Sequence, residues 1–225
     1  MSAAPMQQNQ GLPAYTRAEH IADAVLHVLG VISALVAVPV LITLAAVWHG
    51  NLSTVLAAAI YGVSLIAMFA FSAAYHLVHH AGAREILRRF DHAAIYVKIA
   101  GTYTPFAVLL ARDEAGPILA GIWTAALVGL AIKVTAPRRL ETLCLFLYLA
   151  MGWAALFIGG PIIDGLSDAG LVLMITGGVL YTLGVVFHLW HSLPFQNAIW
   201  HGLVLAASFV FYAAVLVEVR AAAVY

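Results

Sequence analysis

Residues 20–48, HIADAVLHVLGVISALVAVPVLITLAAVW, open with His20, Asp23 and His27 and then run from Val28 to Trp48 without a charged side chain. A helix that long rises about 30 Å, the thickness of a bilayer's hydrocarbon core. Six further apolar tracts follow at about 53–79, 90–111, 117–135, 140–159, 169–191 and 197–219, separated by short polar breaks. The composition agrees: 64% of residues are hydrophobic and 9% charged, where soluble domains carry about 45–50% and about 25%. The reading is an all-α integral membrane protein, a seven-transmembrane helix bundle whose short connections make neighbours antiparallel.

Residues 1–17, MSAAPMQQNQGLPAYTR, lack the basic and apolar segments of a signal peptide and read as a flexible tail before a single membrane domain, 18–225. A formal net charge of zero leaves no basic domain for nucleic acid. The expected partners are membrane lipids, or a lipid substrate or ligand within the bundle. Cys144 is the only cysteine, which excludes an intrachain disulfide and a thiolate cluster.

Cytoplasmic loops carry the excess of Lys and Arg. With the N-terminus inside, Arg17, Arg84, Arg88, Arg89, Lys133, Arg138 and Arg139 face the cytoplasm, against Arg112 and Arg220 outside. The same count puts the C-terminus outside, which requires an odd number of spans. In the third span, Gly101-Thr102-Tyr103-Thr104-Pro105 predicts a kink, because Pro105 removes a backbone donor and threonine hydroxyls can satisfy freed carbonyls.

Histidines are distributed unevenly on this topology. His20, His27, His76, His79, His80, His92, His188, His191 and His201 fall at or near cytoplasmic helix ends, and only His49 is outside. The ten acids split evenly between the two sides, so the bias belongs to imidazole, the commonest metal ligand and a ready acid or base near neutral pH. Residues four apart share a helix face. Ser72 and His76 form such a pair in the second tract, Asn197 and His201 in the seventh, and Glu19, Asp23 and His27 in the first; Asp91 and His92 begin the third at the same level. Polar groups are costly against lipid, so these sets should turn inward and meet. Glu19, Asp23 and Asp91 can also complement helix N-termini. Lys98 lies seven residues beyond Asp91 on nearly the same face and calls for a buried acid or carbonyl partner.

These residues resemble the hemolysin III branch of the progestin and adipoQ receptor superfamily. The likeness is carried by Glu19-x3-Asp23-x3-His27-x2-Gly30, FSAAYH at 71–76, FDHAAIY at 90–96, GTYTPF at 101–106, MGW at 151–153 and NAIWHGLVLAAS at 197–208. It implies a seven-helix bundle with a cytoplasmic N-terminus and a zinc ion near the inner surface of the cell membrane. The helix-two Ser-x3-His of that family falls on Ser72 and His76, its helix-three Asp on Asp91, and its helix-seven His-x3-His on Asn197 and His201. Asn197 is a departure, because a neutral amide is a poor zinc ligand. Either Asp91 or another inner-end group completes the site, or water fills the gap, or zinc binding has lapsed; His27, His188 and His191 are available as substitutes.

The resemblance supports two readings. One is a zinc-dependent lipid amidase or esterase, ceramidase-like, with Asp91 and Ser72 as catalytic groups, His76 and His201 as metal ligands, and Glu19, Asp23 and His27 in support. The other is a non-enzymatic receptor or hemolysin-like pore former with a structural metal.

Overall fold

The computed structural model describes residues 16–78, 80–135 and 140–223. Most of the expected tail, and with it His79, Arg138 and Arg139, lie outside the described residues. Among the described residues the regular elements are all helices: α1 (Arg17–His49), α2 (Leu52–Leu77), α3 (Ala81–Leu110), α4 (Ala115–Thr135), α5 (Glu141–Ile158), α6 (Gly160–Gly165), α7 (Asp168–Leu189) and α8 (Gln196–Ala221).

Six of these, α1 to α4 with α7 and α8, are long and apolar enough to cross a membrane. The remaining tract is different. Expected as one helix over 140–159, it is an 18-residue α5 that ends at Gly159 and resumes as the six-residue α6, with Pro161 in its first turn. Alone, α5 rises about 27 Å, slightly short of the hydrocarbon core. Together α5 and α6 carry the chain from the end of α4 to the start of α7.

The buried positions of α1, Glu19, Asp23, His27, Gly30, Ala34, Val38, Leu41 and Ala45, are spaced three or four apart and form one inward stripe. Its first three members are polar and the rest small or apolar. The opposite face is exposed and apolar, including Ile32, Val36, Val40 and Val47, as lipid contact requires. Helix α3 is the hub. It packs on α2 and α4 and touches α5, α6 and α8, while α8 also closes against α1 and α7.

Close approach of α2 and α3 depends on Gly101, where a Cβ would fall 2.2 Å from the Ser64 hydroxyl oxygen. Pro105 lies within α3, and the Thr102 and Thr104 hydroxyls donate to the carbonyls of Lys98 and Ala100 at 2.8 and 3.0 Å. Both carbonyls precede Gly101, whose own carbonyl is the one Pro105 leaves without an amide donor, so the hydroxyls brace the turn before the proline and do not replace the lost bond.

The two ends of the bundle are tied differently. At the end bearing Arg17, Arg88 and Lys133, hereafter the basic end, Glu19 accepts from the Thr16 and Phe195 backbone amides, each at 2.7 Å. The first bond belongs to a capping box that starts α1. The second holds the turn between α7 and α8, where Phe195 has φ of 59°, a left-handed conformation that costs a non-glycine residue energy and needs external support. At the far end, Ser167 donates through its hydroxyl to Glu218 at 2.6 Å, and His49 Nε2 donates to the Val219 carbonyl at 2.6 Å.

Candidate metal centre

Four side chains converge inside the basic end. Asp23 and His27 come from the polar stretch of the α1 stripe, His76 from the last turn of α2, and His201 from the second turn of α8. Each offers one ligand atom, and the four atoms lie within 4.8 Å of one another. Asp23 is 4% exposed and His27 3%, so little water reaches them.

The Asp23 carboxylate is the focus. Its Oδ1 is 2.5 Å from His201 Nδ1, and its Oδ2 lies 3.1 Å from His76 Nδ1 and 3.5 Å from His27 Nε2. The three imidazoles also crowd one another, with ring centroids 4.4 to 4.6 Å apart in every pairing. One carboxylate cannot satisfy three imidazoles equally. His27 Nε2 is buried without a hydrogen-bond partner, a cost that native structures rarely leave unanswered. A cation shared by these atoms answers it, and three imidazoles with one carboxylate form a donor set suited to zinc and similar metals. The residues fit a metal ion.

Asp91 and Ser72 lie beside this cluster. Asp91 is 8% exposed; the Ser72 hydroxyl faces its carboxylate, and Asp23, His27 and His76 are within electrostatic reach. Stacking of Phe71 on Phe90, ring centroids 5.2 Å apart, fixes the register of α2 against α3 immediately next to both residues.

Asn197 is half-buried one turn before His201. Glu19 lies one turn outside Asp23 and is engaged with Thr16 and Phe195. Of the three substitute histidines, His27 joins the cluster; His188 instead lies against the Trp200 ring at 5.1 Å, and His191 is exposed. Lys98, 3% exposed, meets no acid among the described residues; its ammonium faces the rings of Phe211, Tyr181 and Tyr61 at 4.9, 5.2 and 5.7 Å. Rings replace the expected carboxylate, since an aromatic face stabilises a desolvated cation. The sequence offers His27 as a substitute ligand, but the placing of Asp23 with it among the converging groups, rather than behind them, is beyond pattern reading. The four-residue spacing put them on one face but could not say which helices that face would meet.

A helical bundle enclosing an imidazole and carboxylate cluster at one end defines a polytopic membrane protein with a group of side chains that could hold a metal ion. The chain belongs to the haemolysin-III related family, whose sequence profile matches residues 15–212 and so includes all four converging groups. It is 40% identical over 202 residues to "Hemolysin-3" of Bacillus cereus, covering 88% of this chain and 90% of that protein. It is 37% identical over 203 residues to "Hemolysin-3 homolog" of Bacillus subtilis (strain 168), covering 90% and 95%. A human protein, "Monocyte to macrophage differentiation factor", is 32% identical over 168 residues, 69% of this chain and 67% of that one. With its apolar helices, this membership makes the chain a multi-pass protein of the cell membrane.

Proposed function

We propose that this protein is a zinc-dependent membrane hydrolase that cleaves an amide or ester bond of a lipid at the cytoplasmic side of the membrane. The observation that carries this reading is the buried meeting of His27, His76, His201 and Asp23 with the Asp91 and Ser72 pair next to it. His27, His76 and His201 would hold the ion, with Asp23 giving way to water at the fourth position. Zinc, when bound, supplies Lewis acidity and lowers the pKa of water.

The chain's own groups perform the rest. Asp91 takes the proton of the attacking water and returns it to the leaving amine or alcohol. Ser72 orients the Asp91 carboxylate and can donate to the oxygen of the scissile carbonyl as charge develops there. The apolar faces of α1, α2 and α8 accept the acyl chain, and the enclosed setting keeps bulk water from competing.

The test is turnover of a fluorogenic lipid amide and ester by detergent-purified protein, with metal content measured on the same samples. Asp91→Asn should retain the metal and lower kcat by about 100-fold or more, the scale of a lost general base. His76→Ala should lose both metal and turnover. Hydrolysis that persists in His76→Ala would overturn the proposal.

A second reading rests on the ligand count, since structural zinc sites are closed by four protein ligands whereas catalytic ones keep a position open. If Asp23 stays bound, the ion is a clamp joining α1, α2 and α8 in a receptor or pore former. Metal removal would then lower the Tm, with no turnover to abolish. The name hemolysin borne by the Bacillus relatives accommodates either reading, because lipid hydrolysis and pore formation both breach a target membrane. Conductance of a reconstituted bilayer that survives His76→Ala would favour the pore.

A further inference from the structure

Three of the four converging groups have counterparts two helical turns further into the membrane. Seven residues along a helix return to nearly the same face, about 10 Å further on. From His27, His76 and His201 that step leads to Ala34, Phe69 and Ser208, and all three line one narrow groove together with Leu65, Phe209 and Tyr212. The groove therefore lies beneath the cluster on the same faces of α1, α2 and α8. Phe209 is 48% exposed, so the groove opens toward lipid. From Asp91 the same step along α3 leads to Lys98.

This layer is apolar on most sides and polar on one. Ser208 and the Tyr181 hydroxyl share a hydrogen bond of 2.8 Å, and the Tyr181 ring faces the Lys98 ammonium at 5.2 Å. Phe211 and Tyr61 complete the enclosure of that ammonium at 4.9 and 5.7 Å. The rings offset the charge of Lys98 but supply no lone pair for its three N–H groups. The Tyr61 hydroxyl is buried without a hydrogen-bond partner. Donors thus exceed acceptors here, a deficit that native interiors rarely leave unmet and that calls for an oxygen atom from outside the chain.

We propose that this layer selects acyl chains bearing a hydroxyl group near mid-chain, with the scissile bond at the metal centre and the hydroxyl beside Lys98, Tyr61 and the Tyr181–Ser208 pair. The position of the scissile bond rests on the hydrolase reading; the selectivity rests on the groove and its polar side. A hydroxyl oxygen carries two lone pairs, one for Lys98 and one for Tyr61. An unsubstituted chain leaves both donors unmet, and a site built to bond a hydroxyl discriminates against the analogue that lacks it. A hydroxyl next to the scissile bond stays near the cluster, about two turns short of these donors, and gains nothing from them.

The experiment uses full-length protein in detergent and three fluorogenic stearoyl amides: unsubstituted, hydroxylated at carbon ten, and hydroxylated at carbon two. Wild type should favour the carbon-ten hydroxyl over the plain chain by about tenfold or more in kcat/KM, mainly through KM, and gain nothing from the hydroxyl at carbon two. Tyr61→Phe should reduce the preference and Lys98→Met should abolish it. Each preference is a ratio measured on one preparation, so partial loss of folded protein does not alter it. Binding of the corresponding free acids, which have no amide to cleave, is read in parallel as the rise in Tm. Stronger stabilisation by the carbon-ten hydroxy acid than by stearic acid, with neither amide turned over, would keep the subsite and remove the hydrolase reading. Equal rates and equal binding of the plain and carbon-ten chains would overturn the subsite and leave the hydrolase to be judged on turnover alone, as when only water fills the layer. An equal benefit from either hydroxyl position, or a preference unchanged in both Lys98→Met and Tyr61→Phe, would also overturn it.

Discussion

Asp23 and Asn197 are best considered together. The family resemblance leaves an amide where a ligating imidazole is expected, and the structure brings a carboxylate from α1 to within 2.5 Å of His201, one turn beyond that amide. Ligand capacity is thus present at the site but comes from another helix. Asp23→Asn should lower metal affinity by roughly tenfold or more, because a neutral amide replaces the only anionic donor of the set. Adding Asn197→His in that background should restore it, since residue 197 shares a helix face with His201. Competitive metal titration of the single and double variants measures both effects; a double variant no better than Asp23→Asn would show that helix eight cannot substitute for helix one. Much of this was legible beforehand, because inward polar residues in a membrane span are few and their spacing marks their faces. The meeting of Asp23 with His201 was not, because it depends on how α1 is rotated against α8.

At the level of elements, helix existence was readable because the bilayer sets a minimum apolar length, and tract after tract meets it. The division of the fifth tract was missed, although Gly159-Gly160-Pro161 carries a recognised breaker signal; hydropathy summed over the tract conceals it. The turn before α8 was equally hidden. Its left-handed Phe195 has no sequence mark, and its amide is held by Glu19, 176 residues earlier. Glu19 therefore starts α1 and positions α8 at once. Glu19→Gln should lower the Tm of detergent-purified protein and reduce metal affinity, although Glu19 is not among the ligating groups. Thr16→Ala, which weakens only the capping box, should lower the Tm by a smaller amount and leave metal affinity unchanged. Thermal unfolding with and without added zinc distinguishes the two; equal effects on metal affinity would mean that the Phe195 contact does not position His201.

For the whole molecule, orientation came from counting cations, a rule about insertion rather than folding, and it assigns the basic end to the cytoplasm. Cysteine labelling tests it, since Cys144 is 1% exposed and should stay silent. In right-side-out vesicles an impermeant maleimide should modify Leu52→Cys and Ala223→Cys but not Gly82→Cys, and inverted vesicles should give the reverse. Modification of Leu52→Cys and Ala223→Cys from opposite sides would rule out an odd number of spans. The architecture also bears on biosynthesis. Asp23 and His201 meet across 178 residues, which a ribosome adding about 5 to 20 residues per second takes roughly 10 to 35 s to cross. Throughout that interval the aspartate and histidine of α1 wait without the helix that completes their shell. Completion of the cluster is thus a closing event of assembly, and a chain stalled before α8 presents unsatisfied polar groups in the bilayer, a feature by which membrane quality control can tell unfinished molecules from finished ones.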